Sequence, residues 1–119
     1  MKKIYGILML AMLAMCSVAL VSCSDDDEDA IIGTWNVVDG DEAEDVTFQK
    51  NYSYIHIYYD LINGRWEDVE TEYGTWSIDG NKLTMIDSED PTPLVFTFKI
   101  DGKKLTLTYG NRSVTLNKK

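Results

Sequence analysis

The chain has 119 residues, a formal charge of −9 and two cysteines. That length allows one domain. The acid excess repels phosphate, which excludes nucleic acid and anionic lipid head groups as partners.

The chain opens on Lys2 and Lys3 and continues through an almost wholly apolar run over residues 4–21. A positive start, an apolar stretch and small residues after it form a secretory leader. The run is also borderline long enough for a retained spanning helix, but the residues at its end favour cleavage. Leu20, Val21, Ser22 and Cys23 resemble the lipobox of bacterial lipoproteins. The resemblance implies a diacylglyceryl group on the Cys23 thiol, cleavage just before it and acylation of the new amino group. Ser22 supplies the small residue before the cysteine and Leu20 the aliphatic residue three positions before. Cys16 follows Met15 inside the apolar run and is an ordinary leader residue. With Cys16 removed and Cys23 lipidated, the domain has no disulfide and depends on packing. Each buried methylene contributes about 0.8 kcal/mol, and two or more acyl chains anchor a protein stably.

Residues 24–29 read Ser-Asp-Asp-Asp-Glu-Asp. Like charges repel, so this segment is expected to be a disordered, solvated tether. A cysteine followed by serine and an acidic cluster also resembles the surface-export signal of Bacteroidetes lipoproteins. That resemblance implies an outer-membrane anchor with the domain facing the exterior. The expected organisation is a signal peptide over 1–22, a lipidated cysteine and tether over 23–30, and a folded domain over 31–119. Loss of Lys2 and Lys3 takes the formal charge from −9 to −11.

From Ile31 onward helical periodicity is absent, and short alternating runs recur between turn dipeptides. Residues 33–38 form the first run and residues 45–49 the second, with Val46 and Phe48 on one face. Residues 52–59 are aromatic and β-branched, which suits a pleated, half-buried surface. Asn63-Gly64 is a two-residue hairpin signal. Residues 66–72 read as a polar, exposed strand, and residues 73–78 continue or pair with it. Asp79-Gly80 turns the chain into residues 82–87. Pro91 and Pro93 are expected to break the next connection, since proline cannot donate to a ladder. Residues 94–100 place Leu94, Phe96, Phe98 and Ile100 on one face. Asp101-Gly102 and Gly110-Asn111 bound the last two runs, 104–109 and 113–117. One hairpin recipe recurs: residues 78–85, Ile-Asp-Gly-Asn-Lys-Leu-Thr-Met, match residues 100–107, Ile-Asp-Gly-Lys-Lys-Leu-Thr-Leu. The fold class is therefore all-β: a small antiparallel up-and-down meander barrel of about eight strands, which removes its own edges by closing.

The lipobox, the acidic tether, the opening Ile32-Gly33-Thr34-Trp35 and the Trp-Ser-Ile-Asp-Gly-x-x-Leu-Thr meander resemble the lipocalin-like lipoproteins of Bacteroidetes. In lipocalins a Gly-x-Trp begins the first strand and its tryptophan closes one barrel end, often beneath a basic residue from near the last strand. The resemblance implies that Trp35 closes the barrel and that Arg112 stacks on it. Such a contact contributes roughly 0.5–2 kcal/mol. The chain is much shorter than true lipocalins and carries no helix segment beside the barrel.

No catalytic or metal-binding residues and no cofactor are expected. His56, the only histidine, is read as a half-exposed strand residue, because metal sites need several converging ligands. The carboxylates of residues 41–45 and 67–72 are read as solvated faces, because catalytic pairs need a cleft. The aromatic set Tyr52, Tyr54, Tyr58, Tyr59, Trp66 and Tyr73 is read first as cross-strand packing. Its second reading is a ligand site lined by Tyr52, Tyr54, Tyr58, Trp66 and Tyr73. The expected function is non-catalytic: a barrel moored through lipid on Cys23 that binds a small apolar or glycan-like molecule, or else docks on another envelope protein.

Overall fold

The computed structural model describes residues 25–119. A short helix, α1 (Asp25–Ile31), leads into β1 (Gly33–Asp39), β2 (Glu42–Phe48), β3 (Ser53–Ile62), β4 (Arg65–Asp79), β5 (Lys82–Asp87), β6 (Asp90–Asp101), β7 (Lys104–Tyr109) and β8 (Arg112–Lys118). Every strand pairs antiparallel with its neighbour in sequence, and β8 returns to β1, giving a closed eight-stranded barrel.

The turn chemistry produces this meander. Asn63 (φ 53) and Gly64 (φ 80) both take left-handed backbone, the combination a tight hairpin requires. In the repeated turns only Gly80 (φ 66) and Gly102 (φ 63) take positive φ, each as the first residue of a two-residue loop between paired Asp79 and Lys82 or Asp101 and Lys104. Alternation then sends one side of each strand inward. Trp35, Val46, Phe48, Tyr54, Trp76, Leu83, Met85, Phe96, Phe98, Leu105, Leu107 and Leu116 form one buried core with Ile31.

Three elements test the sequence expectations. The acidic run is helical from Asp25 rather than a disordered tether. Its C-terminal end is docked on the barrel, which offsets the self-repulsion of the acids. Ile31 is fully buried, the Trp35 indole donates to the Ile31 carbonyl (2.8 Å), and Lys118 Nζ donates to the Ala30 carbonyl (3.2 Å). These donors satisfy carbonyls that a helix end leaves without partners, and Lys118 adds a cation where the helix dipole favours one. Secondly, of the two alternatives for residues 73–78 the structure shows continuation: they lie with residues 66–72 in a single strand of 15 residues, with a bulge where the register shifts between Tyr58 and Tyr59 of its partner β3. Thirdly, Pro91 and Pro93 lie inside β6. They are tolerated because β7 pairs only with the later part of that strand, from Thr97 onward, so no ladder bond to β7 is lost there.

The cation over Trp35 is Lys118, with Nζ 5.1 Å from the ring centroid, and not Arg112. Register decides this. Lys118 stands opposite Trp35, while Arg112 pairs with Tyr109 at the other end of β8, about 20 Å away at roughly 3.3 Å per strand residue.

Gly74 makes a tight crossing possible. It faces Tyr54 across β3 and β4, and a Cβ there would lie 2.7 Å from the Tyr54 ring and closer still to the Ile86 carbonyl oxygen. Gly74→Ala is therefore expected to lower stability by at least about 1–3 kcal/mol, as overpacking does. Urea unfolding followed by tryptophan fluorescence measures it.

Candidate functional site

The two barrel ends differ chemically. At the end where the chain enters, α1, Trp35, Phe48 and Trp76 form a plug. Phe48 and Trp76 meet edge to face at 5.6 Å, and Tyr52 leans on Trp76 at 5.1 Å. Trp76 Nε1 donates to the Gln49 carbonyl (3.1 Å), and the Tyr52 hydroxyl donates to Glu28 of α1 (2.9 Å). Tyr52 holds φ 69, a costly conformation for a bulky residue. What it gains is a place over the plug.

Toward the opposite end the inward faces of β2, β3 and β4 turn polar. Glu44 stands opposite Tyr58, which stands opposite Glu70. Val46 stands opposite His56, which stands opposite Glu72. Glu44 (1% exposed), His56 (3%), Tyr58 (5%) and Glu72 (8%) are all buried. His56 Nε2 and Glu44 Oε1 are 2.7 Å apart, an ion pair when the imidazole is protonated. The His56 and Tyr58 rings stack at 4.3 Å, and the Tyr58 hydroxyl donates to Glu72 (3.4 Å).

This arrangement overturns two expectations. His56 is buried rather than half-exposed, and Glu44 and Glu72 are interior residues rather than solvated ones. A signal was present for both carboxylates. Glu44 stands two and four residues before Val46 and Phe48, and Glu72 two and four before Gly74 and Trp76, so strand parity puts all of them inside. Asp45 faces the other way and is still buried, because Asn36 Nδ2 (2.8 Å), Lys119 Nζ (3.0 Å) and the Tyr59 hydroxyl (3.4 Å) surround it.

The expected aromatic site divides. Tyr54 and Tyr58 are inside the barrel, and Tyr52 belongs to the plug. Trp66 (44% exposed) and Tyr73 (56%) are on the outer surface. The five do not converge. Cys23 lies outside the described residues. Among the described residues, no group of three or more His, Cys, Asp and Glu side chains is placed to hold a metal ion.

The electrostatics follow from crowding acids around phenols. Burial, then the charges of Glu72, Glu44 and Glu70, push the Tyr58 phenol far above its usual value. Burial, then Asp87 and Glu72, push Tyr54 up as well. Both therefore act as neutral donors throughout the physiological range. Such a site offers carboxylate acceptors beside phenolic donors, and its polarity is a cost to folding that an apolar filling would avoid.

A closed eight-stranded meander, plugged at one end and polar inside toward the other, is a small barrel of the binding type. The chain belongs to the lipocalin-like domain family, whose sequence model matches residues 24–95. That fold is typically one of binding rather than catalysis. No curated protein matches the chain.

Two outcomes test the cluster. His56→Leu leaves the Glu44 carboxylate buried without its imidazole and is expected to cost about 3–5 kcal/mol. The double variant Glu44→Leu/His56→Leu is expected to recover most of that loss, as read by a double-mutant cycle in urea. The second outcome concerns pH. In the unfolded chain a tyrosine ionises near 10.0, whereas folded Tyr54 and Tyr58 keep their protons well above that. Above pH 10.0 the unfolded state thus binds fewer protons, and stability falls as pH rises. Tyr54→Phe and Tyr58→Phe should each flatten this alkaline decline in melts run across that range.

Proposed function

We propose that the protein is a lipid-anchored envelope lipoprotein of the Bacteroidetes type, held in the outer membrane by acyl groups on Cys23 and facing the cell exterior. Its barrel takes a small, hydroxyl-rich, glycan-like ligand at the polar end. The observation that carries the binding reading is the buried set Glu44, His56, Tyr58 and Glu72 within an otherwise apolar barrel. Ionisable groups gathered in one buried interior make that interior the default candidate for a binding site.

The same observation selects between the two ligand classes. An apolar molecule placed against these carboxylates would offer them no hydrogen bonds. Sugar hydroxyls can donate to Glu44 and Glu72 and accept from Tyr58. The anchor rests on separate support: the leader, the lipobox residues Leu20 to Cys23 and the acidic run after them.

Native mass spectrometry of the lipoprotein purified from its own envelope is expected to retain a small polar molecule, and Glu72→Gln with Tyr58→Phe to release it. A barrel that carries nothing, or carries a fatty acid, would contradict the ligand assignment. Cys23→Ala is expected to abolish metabolic labelling with a fatty-acid analogue, and persistent labelling would refute the anchor.

A further inference from the structure

The wall built by β3 is reversed in polarity. Its inward residues Tyr54, His56 and Tyr58 are buried and polar or aromatic. Alternation turns Ile55, Ile57, Tyr59 and Leu61 outward, so the more apolar side of this strand faces away from the core. β4 extends that side. Tyr73 stands opposite Ile55 and Trp66 opposite Leu61, and both are exposed, as is Val69 beside the bulge. On the other flank Ala43 stands opposite Tyr59, and exposed Val38 opposite Ala43.

The stripe is also poor in charge. The chain has 20 acidic residues, yet the four outward positions of β3 carry none. Among the residues paired with those four, the charges are Asp68 and Asp45, and Lys119 meets Asp45 at 3.0 Å. The outward side of β6 to β8 is built instead from residues such as Thr97, Lys99, Ser113 and Thr115. Depletion of charge beside exposed Tyr and Trp is the composition of an interface core.

We propose that this stripe is the contact between two copies of the chain, standing side by side on one membrane about a two-fold axis that runs along the barrels. The arrangement rests on the anchor reading. Each copy enters at its plugged end through α1, so anchored copies stand parallel and meet by their walls. Charge selects a second copy. Two chains with this acid excess repel each other over most of their surface, and the uncharged wall is where they can touch. A partner recognised by its charge finds little to pair with there. Area agrees. Half-exposed Trp66 and Tyr73 offer about 100 Å² each, and pairing the two stripes buries on the order of 1,000 Å², the threshold for a specific interface. The two β3 walls pack face to face, about 10 Å apart and within about 30° of alignment.

The test uses the full-length lipoprotein in neutral detergent, where sedimentation is expected to give a dimer. Ile57→Asp and Ile57→Lys are each expected to raise the dissociation constant about a hundredfold or more, with unchanged circular dichroism. Mixing the two variants is expected to restore a dimer, which also shows that both are folded. Orientation is read with a short bis-maleimide. Ile57→Cys and Leu61→Cys should each link to their own counterparts in the second copy, and Thr97→Cys on β6 should not. A monomeric unaltered protein, a dimer indifferent to Ile57→Asp, or linkage at position 97 would overturn the proposal. So would a foreign protein that co-purifies in place of the second copy and is lost with Ile57→Asp. Linkage at position 57 without linkage at 61 would show antiparallel copies and overturn the side-by-side arrangement. Linkage of the unaltered protein would show a free thiol at Cys23 and count against the anchor alone.

Discussion

The barrel closes through a short seam, and the rest of the molecule depends on it. β1 and β8 share only two residue pairs, Trp35 with Lys118 and Asn36 with Asn117. So brief a ladder would fray without support from side chains. Trp35 supplies that support. It is fully buried, its indole holds the end of α1, and Lys118 lies over its ring. Beside it, Lys119 donates its amide to the Thr34 carbonyl and its ammonium to Asp45. The last residues of the chain are thus fastened to the first two strands from both faces. The exposed ammonium makes the Asp45 contact a modest one in energy. The indole, removed from water on all sides, contributes more.

That seam leaves the barrel with two chemically different ends. With one end filled by Trp35, Phe48, Trp76 and Ile31, the apolar burial that holds the fold is concentrated there. The other end can then carry Glu44, His56, Tyr58 and Glu72, groups that would be unfavourable in the main core. Each has a partner from the neighbouring strand, so the cluster is tolerated without being a source of stability. A plugged floor and a hydrogen-bonding interior above it suit a binding barrel.

Much of this was legible in the chain. The Asn63-Gly64, Asp79-Gly80 and Asp101-Gly102 turns and the alternation of Phe96, Phe98, Leu105 and Leu107 lead directly to an up-and-down meander of eight strands. Trp35 was identifiable from Gly-x-Trp. Its cation was not, because Arg112 and Lys118 differ only in register, which pairing alone reveals. The interior acids were missed because residues 41–45 look like a solvated turn when read by composition. Read by parity from Val46 and Phe48, Glu44 is interior. The aromatic set does not stand together for a different reason. Tyr54 and Tyr58 share a face of β3 as expected, but Tyr52 precedes the strand, and Trp66 and Tyr73 are turned outward by strand parity and the β4 bulge. The helix at residues 25–31 has a start signal in Ser24 followed by Asp25, Asp26 and Asp27, which reading the run only as self-repelling charge hides, and docking of Ile31 helps to hold it.

The most direct test of the account is hydrogen exchange on Trp35→Leu. If the indole holds the seam, the Lys119 amide and the β1–β8 pairs should lose protection selectively, while amides in β4 and β5, such as Trp76 and Leu83, stay protected. Uniform loss of protection across all strands, or an undisturbed seam, would contradict it.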